Sequence, residues 1–213
     1  MADVRIWAGV TVSVQSALAA AKTVSAITKA DPGVVTHASG AQTTGAYITM
    51  DVEGMTQIDE RVFRVASPTA TTLQLEGEDT SGYGTFSSGS FQAITFGNSL
   101  TTATNVAASG GDPQFANTTT IHQLQQTQIP TTTSPATFSF ESIWDPFDAG
   151  LTALKAASDA RAKRAMKFTF SDGAIMAFTG YVSATLLPTG QAGDIVKCNV
   201  TITMFGLPTY YAS

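Results

Sequence analysis

Near the C-terminus the segment IVKCNVTITMFGLP alternates with a period of two: Val196, Cys198, Val200, Ile202 and Met204 against Lys197, Asn199, Thr201 and Thr203. Successive side chains of a strand point to opposite faces, so the pattern demands a half-buried strand, greasy on one face and hydroxyl-lined on the other. The same logic makes a strand of TFSFESIW, with Phe138 and Phe140 on one face and Ser139 and Glu141 on the other. It also makes a hairpin in which MKFTF turns at Ser171-Asp172-Gly173 into AIMAFTGYVSATLL, with a further turn at 188–194. VRIWAGVTVSV, residues 4–14, is expected to join these as a fourth strand.

Only one segment carries helical spacing. Phe147, Leu151, Leu154 and Ala157 fall on one side, and Asp148, Thr152, Lys155, Asp159 and Lys163 on the other. Asp145 suits an N-cap, Pro146 suits the first helical position, and Asp148 complements the positive helix end. Lys155, Arg161, Lys163 and Arg164 gather where the dipole favours cations, so the expected helix spans 146–164. Three strands around this single helix, with 4–14 as a fourth, form the expected main core.

Charge divides the chain. Residues 24–91 hold Lys29, Arg61 and Arg64 against eight acidic residues, a sum of −5, which is the net charge of the whole 213-residue chain. The remainder therefore sums to zero. Within 24–91, six short β-favouring runs are punctuated by turn signals, from TVSAITKA to GTFSSGSF, which predicts a small all-β unit such as a barrel. In RVFRVA, Val62, Arg64 and Ala66 should face one way and Phe63 and Val65 the other. The domain reading is therefore a host domain of 1–23 and 92–213 with an all-β module, 24–91, set into it. After the module, 97–120 has few large apolar residues and no sustained period, and is read as a long loop. IHQLQQTQI alternates imperfectly up to Pro130, and PTTTSPA reads as a connector.

Several function classes are disfavoured. Charged residues make up only 13% of the chain, and 33 Thr and 18 Ser supply polarity as hydroxyls, which suits a β-rich protein that packs against its own copies. An acidic balance argues against a dedicated nucleic-acid binder. No apolar run is long enough to cross a membrane, and MADVRIWAGV lacks the order of a signal peptide, so a cytoplasmic origin is expected. Cys198, the sole cysteine, reads as a buried structural thiol. His37 and His122 lie in different segments without partners at metal-ligand spacing and read as loop or edge residues. Glu141, Asp145 and Asp148 could form a glycosidase-like pair, but capping and a solvated strand face account for them. There is no P-loop and no G-x-S-x-G elbow, and Gly110-Gly111-Asp112-Pro113 is turn chemistry. The basic group Lys155, Arg161, Lys163, Arg164 and Lys167 suits an interface between subunits better than phosphate. No catalytic, cofactor-binding or metal-binding residue is assigned, and the chain is read as a non-enzyme without a cofactor.

TTTIHQLQQTQIP, SPATFSFESIWDPFDAGLTALKAASD, SATLLPTG and VTITMFGLPTYY together resemble the tail tube proteins (major tail proteins) of long-tailed, siphovirus-like bacteriophages. ITKADPGVVTHA, VEGMTQIDERVFRVA and TTLQLEGEDTSGYGTF look like the small β-barrel modules of phage tail and fibre proteins. The resemblance implies a mainly β structural virion protein of two packed antiparallel sheets (a β-sandwich or half-barrel) flanked by one α-helix, assembled in the host cytoplasm, whose hexameric rings share an inner β-barrel and stack into a hollow tube for DNA ejection. It implies as partners the chain itself, a tape-measure protein in the lumen during assembly, and tail terminator and tail-tip proteins. Viral DNA would pass without specific binding, and no membrane is involved. In that family an extended loop and two terminal arms stitch the rings, which corresponds to 97–120, 1–7 and 207–213, while added modules such as 24–91 project from the outer wall. Lumen walls of such tubes are commonly acidic, but the host part here is neutral. Either Thr and Ser hydroxyls line the lumen with a few carboxylates such as Glu141 and Asp172, or charge is segregated within the host domain. On this reading the monomer is marginal, with loop and arms ordered only by assembly. Two alternatives stand beside it: an extracellular carbohydrate-binding or adhesive β module, for which Trp7 and Trp144 offer scattered aromatics, and a small hydrolase built on Asp145 and Asp148.

Overall fold

A computed structural model describes residues 7–212. Among them are fourteen strands, one α-helix and one 3-10 turn. Strands β2 (Lys22–Ile27), β3 (Val34–His37), β4 (Tyr47–Glu53), β5 (Val62–Ala66), β6 (Thr72–Leu75) and β7 (Ser88–Leu100) bond in the order β2-β3-β6-β5-β4-β7. Pairs Lys22↔Phe91 and Thr23↔Ser90 return β2 to β7, closing a six-stranded barrel with no free edge. Val35, Ile48, Met50, Phe63, Leu73, Leu75 and Phe91 fill it. On β5 Phe63 and Val65 point inward, as their alternation requires, and Arg64 faces out to ion-pair with Glu76. Buried Arg61 donates to Glu78 Oε2 at 3.1 Å and to the Gln57 carbonyl at 3.0 Å, and lies 4.9 Å from the Phe63 ring centre. Part of the acidic excess of 24–91 is thus spent within the barrel wall.

Strand β7 leaves the barrel at about Ile94 and continues as a partner of β1 (Thr11–Leu18). The expected module boundary at residue 91 consequently falls inside one strand. From β1 the ladder runs on through β12 (Lys163–Thr169), β13 (Ile175–Ala184), β14 (Lys197–Tyr211), β11 (Thr137–Ile143) and β8 (Ala103–Ser109), antiparallel throughout. Phe138 of β11 stacks on Phe178 of β13 at 5.2 Å between ring centres and meets Phe168 of β12 edge-on at 5.3 Å. Strands separated along the ladder therefore touch through their side chains. The two packed layers expected are parts of one sheet that curls over its own core. Helix α1 (Ala149–Asp159) covers that core with Leu151, Leu154 and Ala157. Gly150 lets it approach β7, since a Cβ there would stand 2.6 Å from Leu100 Cα.

A third apolar cluster, Tyr47, Val62, Ile94, Ala165, Ala177 and Tyr211, joins barrel to sheet. It explains why Val62 is buried although Arg64, on the same side of β5, is not. The seam is also hydrogen-bonded: Tyr211 Oη accepts from Arg64 N at 2.8 Å, and Thr209 Oγ1 donates to the Val62 carbonyl at 2.8 Å.

The structure overturns several expectations of secondary structure. Residues 97–120 are not a loop: they hold the end of β7, all of β8 and β9 (Pro113–Asn117). Their small side chains hid the strands, because β8 buries almost nothing and is ordered by backbone pairing to β11. PTTTSPA is not a connector, for Pro130–Thr133 lie in β10 (Gln128–Thr133), paired with β9. The helix is shorter than 146–164. Asp148, not Asp145, is its N-cap, leaving Phe147 outside and exposed. At the other end Arg161 adopts φ 50°, Ala162 N–H bonds the Ala157 carbonyl and Arg161 N–H the Ser158 carbonyl, a Schellman termination without the usual glycine. Finally, 207–211 is no free arm: it is the end of β14, paired to β13 and bonded to the barrel. Residues 1–6 of the expected N-terminal arm and residue 213 lie outside the described residues. Trp7 packs tilted on Phe170 at 5.9 Å between ring centres.

Candidate assembly surfaces

The carboxylates considered for catalysis are held in structural roles. Asp148 Oδ1 accepts from Leu151 N at 2.8 Å and Oδ2 from Thr101 Oγ1 at 2.7 Å, tying the start of α1 to the β7–β8 connection. Asp145 accepts from Phe147 N at 2.9 Å, closing a local turn. Glu141 pairs with Lys197 at 3.1 Å. Among the described residues no group of three His, Cys, Asp or Glu side chains is placed to hold a metal. His37 is neither loop nor edge: it sits in β3 nearly out of solvent, edge-on to Phe91, its Nδ1 accepting from Ser39 N. Burial, aided by the Lys22 charge, holds its pKa below the usual value. His122 lies in an exposed turn. Cys198 is fully buried, and burial followed by the Asp148 charge raises its pKa. The two tryptophans form no platform, for Trp144 Nε1 is bonded to the Leu186 carbonyl while Trp7 packs on Phe170.

The basic group does not act as a unit. Lys155 pairs with Asp159 on α1, and Lys163 with Glu60 of the barrel. Lys167 lies 5.2 Å from the Tyr47 ring and 5.1 Å from that of Phe96, and burial lowers its pKa. Two of the five cations assigned to an interface between subunits thus bind this chain's own barrel.

What the fold leaves uncovered is backbone edge, a polar face and a projecting hairpin. Strand β8 ends the ladder, and no strand among the described residues pairs with its outer row of N–H and C=O groups. Cross-strand register builds a face from Asn105, Glu141 and Asn199, then Ala107, Ser139, Thr201 and Ser183, then Ser109, Thr137, Thr203 and Tyr181. This face is hydroxyl- and amide-rich, and its Glu141 charge is matched by Lys197. Opposite it lie the apolar neighbours Phe138, Phe140, Cys198, Val200 and Ile202, all in the core. The hydroxyl-lined side of β14 was legible in its alternation, but its extension across four strands is a product of register.

Strands β9 and β10 form a separate two-stranded sheet whose side chains are nearly all exposed. Phe115 and Ile129 are half exposed, and Ile121 and Leu124 in the connecting turn are fully so. None of residues 113–140 is Asp, Glu, Lys or Arg. Exposed surface normally carries about a quarter or more charged residues, and an unsupported hairpin is marginal in water. At the foot of the hairpin a groove of about 570 Å³ is lined by Phe138, Met176, Met204, Phe205, Leu207 and Tyr210. Neither feature was foreseen, although the charge-free run could have flagged the hairpin.

A family model described as "Phage tail tube protein, TTP" matches residues 53–213, from the last residue of β4 to the C-terminus. No curated protein matches the chain.

Proposed function

Since the chain belongs to the phage tail tube protein family, and is thereby a structural component of the virion, we propose that its copies form hexameric rings that stack into the tail tube, the conduit for DNA ejection. The observation that carries this reading is the β8 edge, unpaired among the described residues, beside a polar face. An open edge is an aggregation hazard in a monomer, but it is a joining device when equivalent edges are satisfied around a closed ring. The neutral face suits the lumen wall: its Lys197 is already paired with Glu141, which leaves little counterion-release affinity for DNA phosphates, so duplex passes without sticking. Asp172, the other carboxylate considered for the lumen, sits in the β12–β13 turn and accepts from Ala174 N, off this face.

The barrel and its acidic surface stand on the outside of the tube in this reading, as a module of 24–91 borne by a tube domain of 1–23 and 92–213. A separate apolar core supports the division. Assembly takes place in the host cytoplasm around a tape-measure protein, and terminator and tail-tip proteins close the two ends of a siphovirus-like tail.

Negative-stain electron microscopy of the concentrated protein tests the proposal. Hollow tubes or six-fold rings are the expected result. A compact monomer at every concentration, with the β9–β10 hairpin resistant to protease, overturns it.

A further inference from the structure

We infer that the six-stranded barrel is a module that acid opens: protonation of His37 releases β2 from β7 while the rest of the chain stays folded. His37 lies on the inward face of β3, two residues after the core residue Val35, and is only 2% exposed. Its Nδ1 accepts from Ser39 N at 3.3 Å, so in the neutral ring the proton sits on Nε2. That Nε2 is buried and has no hydrogen-bond partner among the described residues. A second proton therefore finds no favourable place. It would set an Nδ1–H against the Ser39 N–H, donor facing donor, and bury an imidazolium with no acid beside it. The charge that acts on the ring is the like charge of Lys22 on β2. The neighbours from β2 (Val24), β7 (Phe91) and the turn before β6 (Thr71) carry none.

The same residue sits at the shortest join of the barrel. Strand β4 meets β7 through seven register pairs, from Tyr47↔Ile94 to Glu53↔Ser88, whereas β2 meets it through two, Lys22↔Phe91 and Thr23↔Ser90. Both members of the first pair bear on His37: the Phe91 ring stands edge-on to the imidazole at 5.3 Å, and Lys22 supplies the like charge. Lys22 is itself tethered, its Nζ donating to Gln42 Oε1 at 2.8 Å and lying 5.9 Å from the Phe91 ring centre. A new cation at His37 is thus relieved by parting the join. Ala19 N–H holds the Ala93 carbonyl at 2.9 Å, which places the hinge at 20–21. Opening there keeps the β2–β3 and β1–β7 ladders, frees two strand edges and admits water to Phe91 and Val35. The main sheet has a separate core and need not follow. Burial first, and Lys22 second, hold the folded pKa below its usual value, so closure is complete above pH ~6.5 and declines below it.

The test is native amide hydrogen exchange at pH 7.5 and 5.0, below the concentration for assembly, expressed as protection relative to the unfolded chain at each pH. Protection of the β2–β7 join, 22–23 and 90–91, should fall by up to roughly thirtyfold at pH 5.0, the factor by which a histidine of pKa ~6.5 in the opened form takes up its proton. Amides of β12, β13 and β14 should keep their protection. His37→Gln should abolish the fall, and His122→Gln, in the exposed hairpin turn, should leave it intact. Lys22→Gln, which removes the like charge, should reduce it, and supplies the comparison where His37→Gln does not fold. Unchanged protection at the join, a fall that survives His37→Gln or is undiminished by Lys22→Gln, or an equal fall across β12–β14 overturns the inference. None of these outcomes bears on whether the chain forms tubes.

Discussion

Replacing Asp148 by Ala removes the acceptor of three hydrogen bonds that fix the start of α1, the longest and weakest of them from Thr101 N at 3.4 Å. The N-cap bond to Leu151 N, 2.8 Å long, contributes about 1 kcal/mol. The charge-assisted bond from Thr101 Oγ1, 2.7 Å long, contributes about 1 to 2 kcal/mol more, because the carboxylate is 8% exposed while the hydroxyl can partly rehydrate. The expected loss is about 2 to 3 kcal/mol, or roughly 4–10 °C in Tm for a chain of this size. Asp145, the cap that the local pattern favours, holds one bond, to Phe147 N, and Asp145→Ala should cost only about 0.5 kcal/mol. Asp148→Asn keeps the acceptor for Leu151 N and should recover about half of the Ala loss. Urea unfolding followed by far-UV circular dichroism, at concentrations below assembly, measures all three. Equal losses for Asp145→Ala and Asp148→Ala, or the larger loss at Asp145, would refute the capping assignment and move the helix start to residue 146.

Three further outcomes are expected. Gly150→Ala should destabilise by about 1–3 kcal/mol despite alanine's better helix propensity, since the new Cβ meets the β7 backbone at 2.6 Å; a stabilised variant in the same urea series would contradict the close approach of α1 to β7. His37 is held neutral in the fold, so the unfolded chain takes up its proton first, near pH ~6.5. Stability should be complete above that pH and decline below it until folded His37 itself titrates beside Lys22; His37→Gln should flatten that part of the profile, and an unchanged slope would assign it to other groups. Cys198 should resist iodoacetamide in the native protein and react fully in urea, and rapid native labelling would contradict its burial.

Period-two alternation depends on the chain alone, because adjacent strand residues must face opposite ways. The apolar and hydroxyl sides of β14, the Phe138/Phe140 face of β11 and the β12–β13 hairpin were therefore readable in advance, as was a small all-β unit within 24–91. Where strands bury no apolar side chains, as in β8, β9 and β10, that signal disappears, and their order comes from backbone pairing with strands distant in sequence. The end of α1 was hidden for a related reason: Arg161 adopts a conformation that sequence patterns associate with glycine, in a turn from helix into β12. Closure of the barrel through Lys22↔Phe91, the buried seam around Tyr211, and the hydroxyl face running from β8 to β13 all depend on register between remote segments. The sequence alone thus determined which residues seek burial and with what local period, since those are properties of neighbours along the chain. Only the tertiary structure decided which faces and edges stay open for another molecule, because exposure is what remains after every remote pairing has been made.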